Sequence, residues 1–239
     1  MAEGTPGPWL VGSAPWCGRW ATSLARLGIA ARAVPITDVA PPSDRVALER
    51  ATSTRGDAMI LLTSGYALGA VAVEALEGGR ALCVGASTAA RARAAGIEAV
   101  LVGDAGAEGL VAALAAQPEL LREAETLGLL WLRGRDHHDG TREAFATLGV
   151  ELREVEAYVM ESIEAWWEGL EDGPPPPAVL VGSPRALTEV VQAGHLPEVP
   201  LLVLGRSSAD RARALGLASV HVLSEPTPEA LAARWKEFL

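Results

Sequence analysis

Lysine is nearly missing from this chain: Lys236 stands alone among 20 basic residues, set against 30 acidic ones. The net charge of −10 excludes a general attraction to nucleic acid or to an anionic membrane, since both repel a mostly negative surface. Small anionic ligands are not excluded, because the other basic residues are arginines, whose planar fork suits carboxylates and phosphates. Cysteine is equally scarce. Cys17 and Cys83 lie in different segments of a chain read as intracellular, which predicts free thiols rather than a disulfide framework. The longest apolar run, Met59–Val73, contains Thr63 and Ser64 and falls short of the ~18 residues a membrane-spanning helix requires. Met1–Pro8 is polar and rich in glycine and proline, with no basic segment, so no signal peptide is expected and a soluble, cytoplasmic protein is. The turns after the predicted strands contain neither GxGxxG nor GxxxxGK[ST], which argues against a nucleotide ligand.

What is present is a long repeat. Gly85-Ala86-Ser87-Thr88-Ala89, then Arg91, Arg93, Gly96, Val100 and Val102, recur 120 positions later. The partners are Gly205-Arg206-Ser207-Ser208-Ala209, then Arg211, Arg213, Gly216, Val220 and Val222. Ser64 matches Ser183, Trp9–Gly12 matches Trp131–Gly134, and Leu27-Gly28-Ile29 matches Leu148-Gly149-Val150. Solenoid units run to roughly 20–50 residues, so a period this long means two similar domains. The 239 residues, 49% hydrophobic, are enough for two cores.

Continuously apolar runs mark strands buried on both faces, as in parallel sheets. They are Trp9–Val11, Ala31–Val34, Ala58–Leu62, Ala81–Val84 and Ala99–Val102 in the first half. The second half has Leu129–Leu132, Leu152–Val155, Ala178–Val181, Leu201–Leu204 and Val220–Leu223. Helical segments alternate with them. Thr227-Pro228-Glu229 and Ser43-Asp44 read as helix starts, and Gly28, Gly96, Gly149 and Gly216 as helix stops. The predicted fold is α/β, with two similar doubly wound parallel-sheet (flavodoxin-like) domains and a cleft between them. One domain is expected from residues 1–36 plus 160–239 and the other from 41–156, with crossover linkers near 36–42 and 156–161. Pro174–Pro177 reads as a loop leading into a strand.

Open parallel sheets bind ligands beyond the carboxyl ends of their strands, where helix N-termini present unpaired N–H groups to anions. Four predicted strands run into such turns: Thr63-Ser64-Gly65, Gly85-Ala86-Ser87-Thr88, Gly182-Ser183-Pro184 and Gly205-Arg206-Ser207-Ser208. Taken singly, a Ser or Thr at a helix start is a cap. Four of them along one edge of two matched sheets suggest a ligand. Asp136-His137-His138-Asp139 has metal-binding atoms, but adjacent loop residues seldom converge on one ion, so no metal is predicted. His195 and His221 stand apart, and Trp166-Trp167 reads as the packed face of a helix. Ser183 lacks a GxSxG setting and a placed His/Asp pair, which disfavours serine hydrolysis. Tyr158, one of 2 tyrosines, sits where a strand leaves for the crossover, within reach of a proton transfer into the cleft.

These residues resemble the uroporphyrinogen-III synthase family over nearly the whole length. The likeness rests on Leu61-Leu62-Thr63-Ser64, Val84–Ala89 with Gly96, and Leu132-Arg133-Gly134. It continues through Leu148-Gly149 to Tyr158, Val181–Pro184, Leu204–Ala209, Gly216 and Glu225-Pro226-Thr227. The resemblance implies one discontinuous domain and one inserted domain. It also implies a cyclising lyase of tetrapyrrole biosynthesis (haem, sirohaem, cobalamin) that needs no cofactor and no metal. Its substrate would be the linear tetrapyrrole hydroxymethylbilane, which loses its terminal hydroxyl to give an azafulvene. Attack through a spiro intermediate then inverts the last pyrrole ring before closure to uroporphyrinogen III. Tyr158 matches the tyrosine thought to assist departure of the hydroxyl. Ser64, Gly65, Gly85, Ser87, Thr88, Gly134, Arg135, Ser183, Pro184, Gly205, Arg206, Ser207 and Ser208 match loops that hold substrate carboxylates. A monomer is expected, in transient contact with the preceding pathway enzyme.

The chain departs from the family at several points. Gly12-Ser13-Ala14-Pro15 stands where Thr-Arg-Pro is frequent, Gly65 replaces a proline, and Arg206-Ser207-Ser208 replaces threonines. The stretch from Gly134 to Arg142 is longer than usual. A substrate with eight carboxylates brought to an acidic protein must be held by local donors, because salt screens exposed charge within about 10 Å. Helix N-termini, with Arg135, Arg185 and Arg206, would supply them. Two other readings stay open: a non-catalytic hinged binder of a small polycarboxylate, and a two-lobed transferase.

Overall fold

The computed structural model describes residues 6–103, 106–136, 140–168, 170, 174–217 and 219–239. The chain divides into two compact units, Met1–Val39 with Glu161–Leu239, and Ala40–Met160. The discontinuous unit opens with β1 (Pro6–Ser13), α1 (Ala14–Arg26) and β2 (Ala30–Ala40). The contiguous unit follows with α2 (Arg45–Ser53), β3 (Met59–Leu62), β4 (Arg80–Cys83), α3 (Ala86–Ala94) and β5 (Glu98–Val102). It continues with α4 (Gly106–Ala115), α5 (Pro118–Leu127), β6 (Leu129–Gly134), α6 (Gly140–Ala146) and β7 (Leu152–Ser162). The discontinuous unit resumes with β8 (Val179–Val181), α7 (Pro184–Gln192), β9 (Leu201–Val203), α8 (Arg206–Ala214), β10 (Val220–Val222) and α9 (Pro228–Arg234).

In the discontinuous unit the strands run β10-β9-β8-β1-β2, every neighbour parallel. In the contiguous unit they run β7-β6-β3-β4-β5, again all parallel. The second order reproduces the first, with β6, β7, β3, β4 and β5 in the places of β1, β2, β8, β9 and β10. The central strands Met59–Leu62, Val179–Val181 and Leu201–Val203 are buried at every position, the condition that removes polar alternation from their sequences.

Side chains alternate between the two faces of each sheet. In the contiguous unit Ile60, Leu62, Ala81, Cys83, Leu130 and Leu132 pack on Leu48, Ala89 and Ala92. Met59, Leu61, Leu82, Leu129 and Trp131 meet Leu110, Leu114 and Phe145 on the other face. In the discontinuous unit Val11, Val181 and Val203 pack on Leu187, Val190 and Ala212, while Leu10, Leu180 and Leu202 meet Trp20, Leu24, Leu231 and Trp235. Each fully buried leucine contributes about 1.5–3 kcal/mol of transfer free energy.

Helix ends follow the sequence signals. Asp44 Oδ1 accepts from the Ala47 N–H at 2.8 Å at the start of α2, and Thr227 Oγ1 accepts from the Ala230 N–H at 3.2 Å ahead of α9. Gly96 and Gly216 end α3 and α8 at φ of 70° and 77°, where a side chain would be strained. Gly28 and Gly149 end their helices likewise.

The segments expected as linkers, 36–42 and 156–161, hold the ends of two strands, since β2 continues to Ala40 and β7 to Ser162. Val34 and Ile36, then Val155, Ala157 and Val159, keep a buried face going. Trp166-Trp167 forms a turn and not a helix. Its rings gather on His195, which stacks on Trp167 at 4.9 Å and meets Trp166 edge-on at 5.9 Å, so His195 does not stand apart. Pro174–Pro177 is a loop, as expected.

Candidate functional site

At the carboxyl edge of the contiguous unit, β3 stops at Leu62 and the chain enters a 3-10 turn, Gly65–Gly69. Ser64 caps that turn, its Oγ accepting from the Tyr66 N–H at 3.2 Å. The Thr63 hydroxyl accepts from the Trp131 indole N–H at 3.0 Å. Beside it β6 ends at Gly134, in register with Tyr158 on β7. The phenol lies against that glycine: a Cβ added to Gly134 would stand 2.8 Å from Tyr158 Cζ and 3.0 Å from Oη. Tyr66 meets Tyr158 edge-on at 6.0 Å, and the Arg91 guanidinium sits 5.4 Å over the Tyr66 ring. Gly65 makes room for this arginine, since a Cβ there would collide with Arg91 Cδ.

Burial pushes the Tyr158 phenol above the ordinary tyrosine range. A hydrogen bond from Ser64 pulls the other way, while Tyr66 and Asp136 add to the rise. Tyr158 therefore keeps its proton at neutral pH and can offer it. Arg135, expected to hold substrate, is tied into this corner. Its backbone N–H donates to Tyr158 O at 3.0 Å. Its guanidinium donates to Glu156 Oε2 at 3.3 Å and to the Ser43 hydroxyl. The Ser43 N–H donates to Glu156 Oε1 at 2.7 Å, and that bond, opposed by partial burial and reinforced by Arg135, holds the carboxyl below the usual glutamate range.

The matched turns have matched geometry. Gly85 and Gly205 are extended caps of α3 and α8, and neither offers a side-chain acceptor to the first turn. Ser87 and Ser207 are exposed, while Thr88 and Ser208 turn inward at 8% and 3% exposure, so their hydroxyls face the interior. Arg206 is exposed. Ser183 caps α7, its Oγ accepting from the Ala186 N–H at 3.1 Å, and Pro184 opens that helix with no N–H to offer. Arg185 pairs with Glu189 one turn on, at 2.9 Å.

Trp16 is a residue the sequence reading missed. Its indole lies at the carboxyl ends of both β1 and β8. A Cβ at Gly12 would stand 2.8 Å from the ring, and one at Gly182 would stand 2.9–3.1 Å from three adjoining ring atoms, so the ring covers Gly182 flat. Glycine ending two strands, with a tryptophan in the first turn of the next helix, was the available signal. Tyr66 and Arg91 were also missed.

His137, His138 and Asp139 lie outside the described residues, and among the described residues no three His, Cys, Asp or Glu side chains gather as metal ligands. His221 meets Phe238 edge-on at 5.4 Å. Both cysteines are buried and free; burial pushes Cys17 up to about 12 and Cys83 up to about 11. Among the described residues no helix is long and apolar enough to cross a membrane.

Parallel sheets whose carboxyl edges carry small-residue turns, helix N-termini and a protonated phenol define an α/β protein suited to an anionic ligand and a proton transfer. A profile of the family described as uroporphyrinogen-III synthase HemD matches residues 18–233. The chain belongs to that family, the cyclising lyases of tetrapyrrole biosynthesis. Its fold is shared with a mutant uroporphyrinogen III synthase from the extremely thermophilic bacterium Thermus thermophilus, at TM-score 0.61 and 14% identity, covering 97% of this chain and 98% of that one. It is shared too with uroporphyrinogen-III synthetase from Helicobacter pylori, at TM-score 0.62 and 12% identity, covering 87% and 93%. No curated protein sequence matches significantly.

Proposed function

We propose that this chain cyclises hydroxymethylbilane to uroporphyrinogen III and that Tyr158 is the acid that expels the terminal hydroxyl. The supporting observation is the Tyr158 phenol, half-buried at a carboxyl edge with its ring laid against Gly134. Family membership supplies the reaction. The phenol proton passes to the departing hydroxyl, the C–O bond breaks and water leaves, generating the azafulvene. Carbon–carbon bond formation through the spiro intermediate then inverts the last ring. The proton released when the attacking pyrrole regains aromaticity balances the one Tyr158 gave. Beyond that step, the protein's work is to hold the flexible chain with the correct ring carbon facing the electrophile.

In this reading each unit is a flavodoxin-like domain, one from residues 1–36 plus 160–239 and one from 41–156, and small-residue turns at the carboxyl edge of a domain are where substrate is held. The backbone N–H groups around Gly65, Ser87, Thr88, Ser207 and Ser208 hold its carboxylates, aided by Arg206 and by the helix dipoles of α3 and α8. Gly85, Gly134, Pro184 and Gly205 shape the turns, and Ser183 and Arg135 hold them in place. The protein works as a cytoplasmic monomer, without cofactor or metal, in transient contact with the enzyme that supplies its unstable substrate.

The test is direct. Purified protein is given hydroxymethylbilane and isomers I and III are resolved. Isomer III is expected; isomer I alone, at the uncatalysed rate, refutes the enzyme and leaves a binder. Tyr158→Phe is expected to lower kcat by roughly 10²–10⁴-fold with little change in KM.

A further inference from the structure

At the carboxyl edge of the contiguous unit two arginines are neutralised by the protein itself: Arg133 pairs with Glu154 at 2.9 Å and Arg135 with Glu156 at 3.3 Å. Arg91 is not. Among the described residues its guanidinium has no carboxylate partner and no hydrogen bond, and what it meets is the Tyr66 ring. Arg91 lies in the second turn of α3, where side chains lean toward the helix N-terminus, so this long one reaches back to the edge. There it runs over Gly65, with Nη1 and Nε 3.2 and 3.4 Å from the place a Cβ of that residue would take. Its Cζ sits 5.4 Å over the Tyr66 ring, and Tyr66 in turn meets Tyr158 edge-on at 6.0 Å. A ring is no substitute for a carboxylate as acceptor, so the guanidinium keeps its donors for a planar anion.

The repeat supplies an internal control. The counterpart of Gly65 is Pro184, and that of Arg91 is Arg211. Arg211 is spent on α7, its Nε donating to Thr188 Oγ1 at 2.8 Å, while the Thr188 hydroxyl donates to Pro184 O at 3.0 Å. The same arginine on the matching helix is therefore tied down where the turn carries proline, and faces the turn where it carries glycine. Gly65 has no positive φ, so backbone conformation does not demand a glycine there. Arg91 does, because any Cβ at position 65 would meet its Cδ.

We propose that Arg91 is a substrate-binding residue, its guanidinium taking one carboxylate of the linear tetrapyrrole beside Tyr158, and that Gly65 is the residue that admits it. This rests on the reading of the chain as a uroporphyrinogen-III synthase. A protein of net charge −10 gives a polycarboxylate no long-range help, so a cation left unneutralised at the edge is the kind of donor a contact can use. Arg91 is exposed, and a carboxylate reaches it from solution. The Tyr66 ring holds the side chain near its working position in advance, which lowers the entropy cost of pinning an arginine. The carboxylate carries its charge in substrate, transition state and product alike. Arg91 therefore binds all three equally, lowering KM and leaving kcat alone, the opposite signature to that of Tyr158.

The probe is uroporphyrinogen III, kept reduced and titrated into the full chain by calorimetry, with kinetics on hydroxymethylbilane alongside and circular dichroism confirming each fold. Arg91→Gln is expected to raise Kd and KM about three- to tenfold while kcat holds. The ratio of the two Kd values is expected to fall toward one in about 0.5 M salt, because an exposed ion pair is screened. A loss that salt does not alter marks Arg91 as a packing residue and overturns the proposal. So does an Arg91→Gln protein that binds as tightly as wild type. Gly65→Ala keeps the backbone N–H but must push Arg91 aside, so it is expected to weaken binding in wild type and to add almost nothing in Arg91→Gln. Losses that multiply overturn the part given to Gly65. The two readings fail separately. A wild type that binds uroporphyrinogen III but releases isomer I alone refutes the synthase, and the salt-dependent loss in Arg91→Gln still supports the carboxylate contact. Isomer III formed with an unchanged Kd in Arg91→Gln removes Arg91 and leaves the synthase.

Discussion

Gly134→Ala tests the placement of the phenol more sharply than removing the phenol does. The new methyl would stand 2.8 Å from Tyr158 Cζ, whereas ordinary contacts begin at 3.4 Å, so the ring must retreat by about 0.6 Å. Misplacing a reacting group by roughly 1 Å costs on the order of 10²-fold in rate. A fall in kcat of about ten- to a hundredfold is therefore expected, with KM nearly constant. Overpacking should also cost about 1–3 kcal/mol of stability, read from urea unfolding. The decisive comparison is a double-mutant cycle with Tyr158→Phe, scored by formation of isomer III at saturating substrate. In the Phe background the ring is still displaced but carries no hydroxyl, so Gly134→Ala should add almost nothing to the loss. If the two losses multiply instead, Gly134 acts through something other than Tyr158. A Gly134→Ala enzyme at full speed would refute the placement altogether.

Other consequences are open to measurement. Gly182→Ala should destabilise the protein by about 1–3 kcal/mol by displacing the Trp16 indole, and the penalty should shrink when Trp16 is already alanine; equal penalties in both backgrounds would remove Trp16 from the account. The two thiols, held up at about 12 and 11, should resist a thiol reagent at pH 8 in the native protein and react fully once it is unfolded. The Glu156 carboxyl is lowered in the folded state, mainly by the Ser43 N–H, so its contribution is present above the unfolded value of about 4.3 and is lost as pH falls through the lowered one. The stability gap between wild type and Glu156→Gln should accordingly narrow between pH 5 and pH 3, and a gap constant over that range would contradict the bond.

The strands were legible because the central ones are covered on both faces, so Met59-Ile60-Leu61-Leu62 shows no polar alternation. Helix ends were legible where a single residue decides them, as at Thr227 or Gly216. The strand ends in the crossing segments were not legible because Pro35 and the acidic residues of 156–161 obscure an alternating buried face, and alternation over so few residues is a weak signal. Trp166-Trp167 looked helical because bulky apolar neighbours fit many packings, and their partner, His195, lies 28 positions or more away. The repeat located the turns but could not say which way a hydroxyl faces. Thr88 and Ser208 occupy equivalent inward positions, a property of where each helix begins relative to its sheet. The pairing of Gly134 with Tyr158 is a matter of register across strands, which spacing along the chain does not encode. Arg91 on Tyr66 and Trp16 over Gly182 are likewise long-range contacts whose only trace is a glycine.

The Ile163 N–H donates to Ile36 O at 2.9 Å, so the two ends of the interrupted unit are stitched together where the chain departs and where it comes back. An excised gene lacking the intervening stretch would need only a short splice between those ends to restore one continuous polypeptide. The removed stretch is itself contiguous, from Ala40 to Met160, and could be produced as its own domain. Nested insertion of this kind leaves each half separable by genetics even though the message that encodes them interleaves the two.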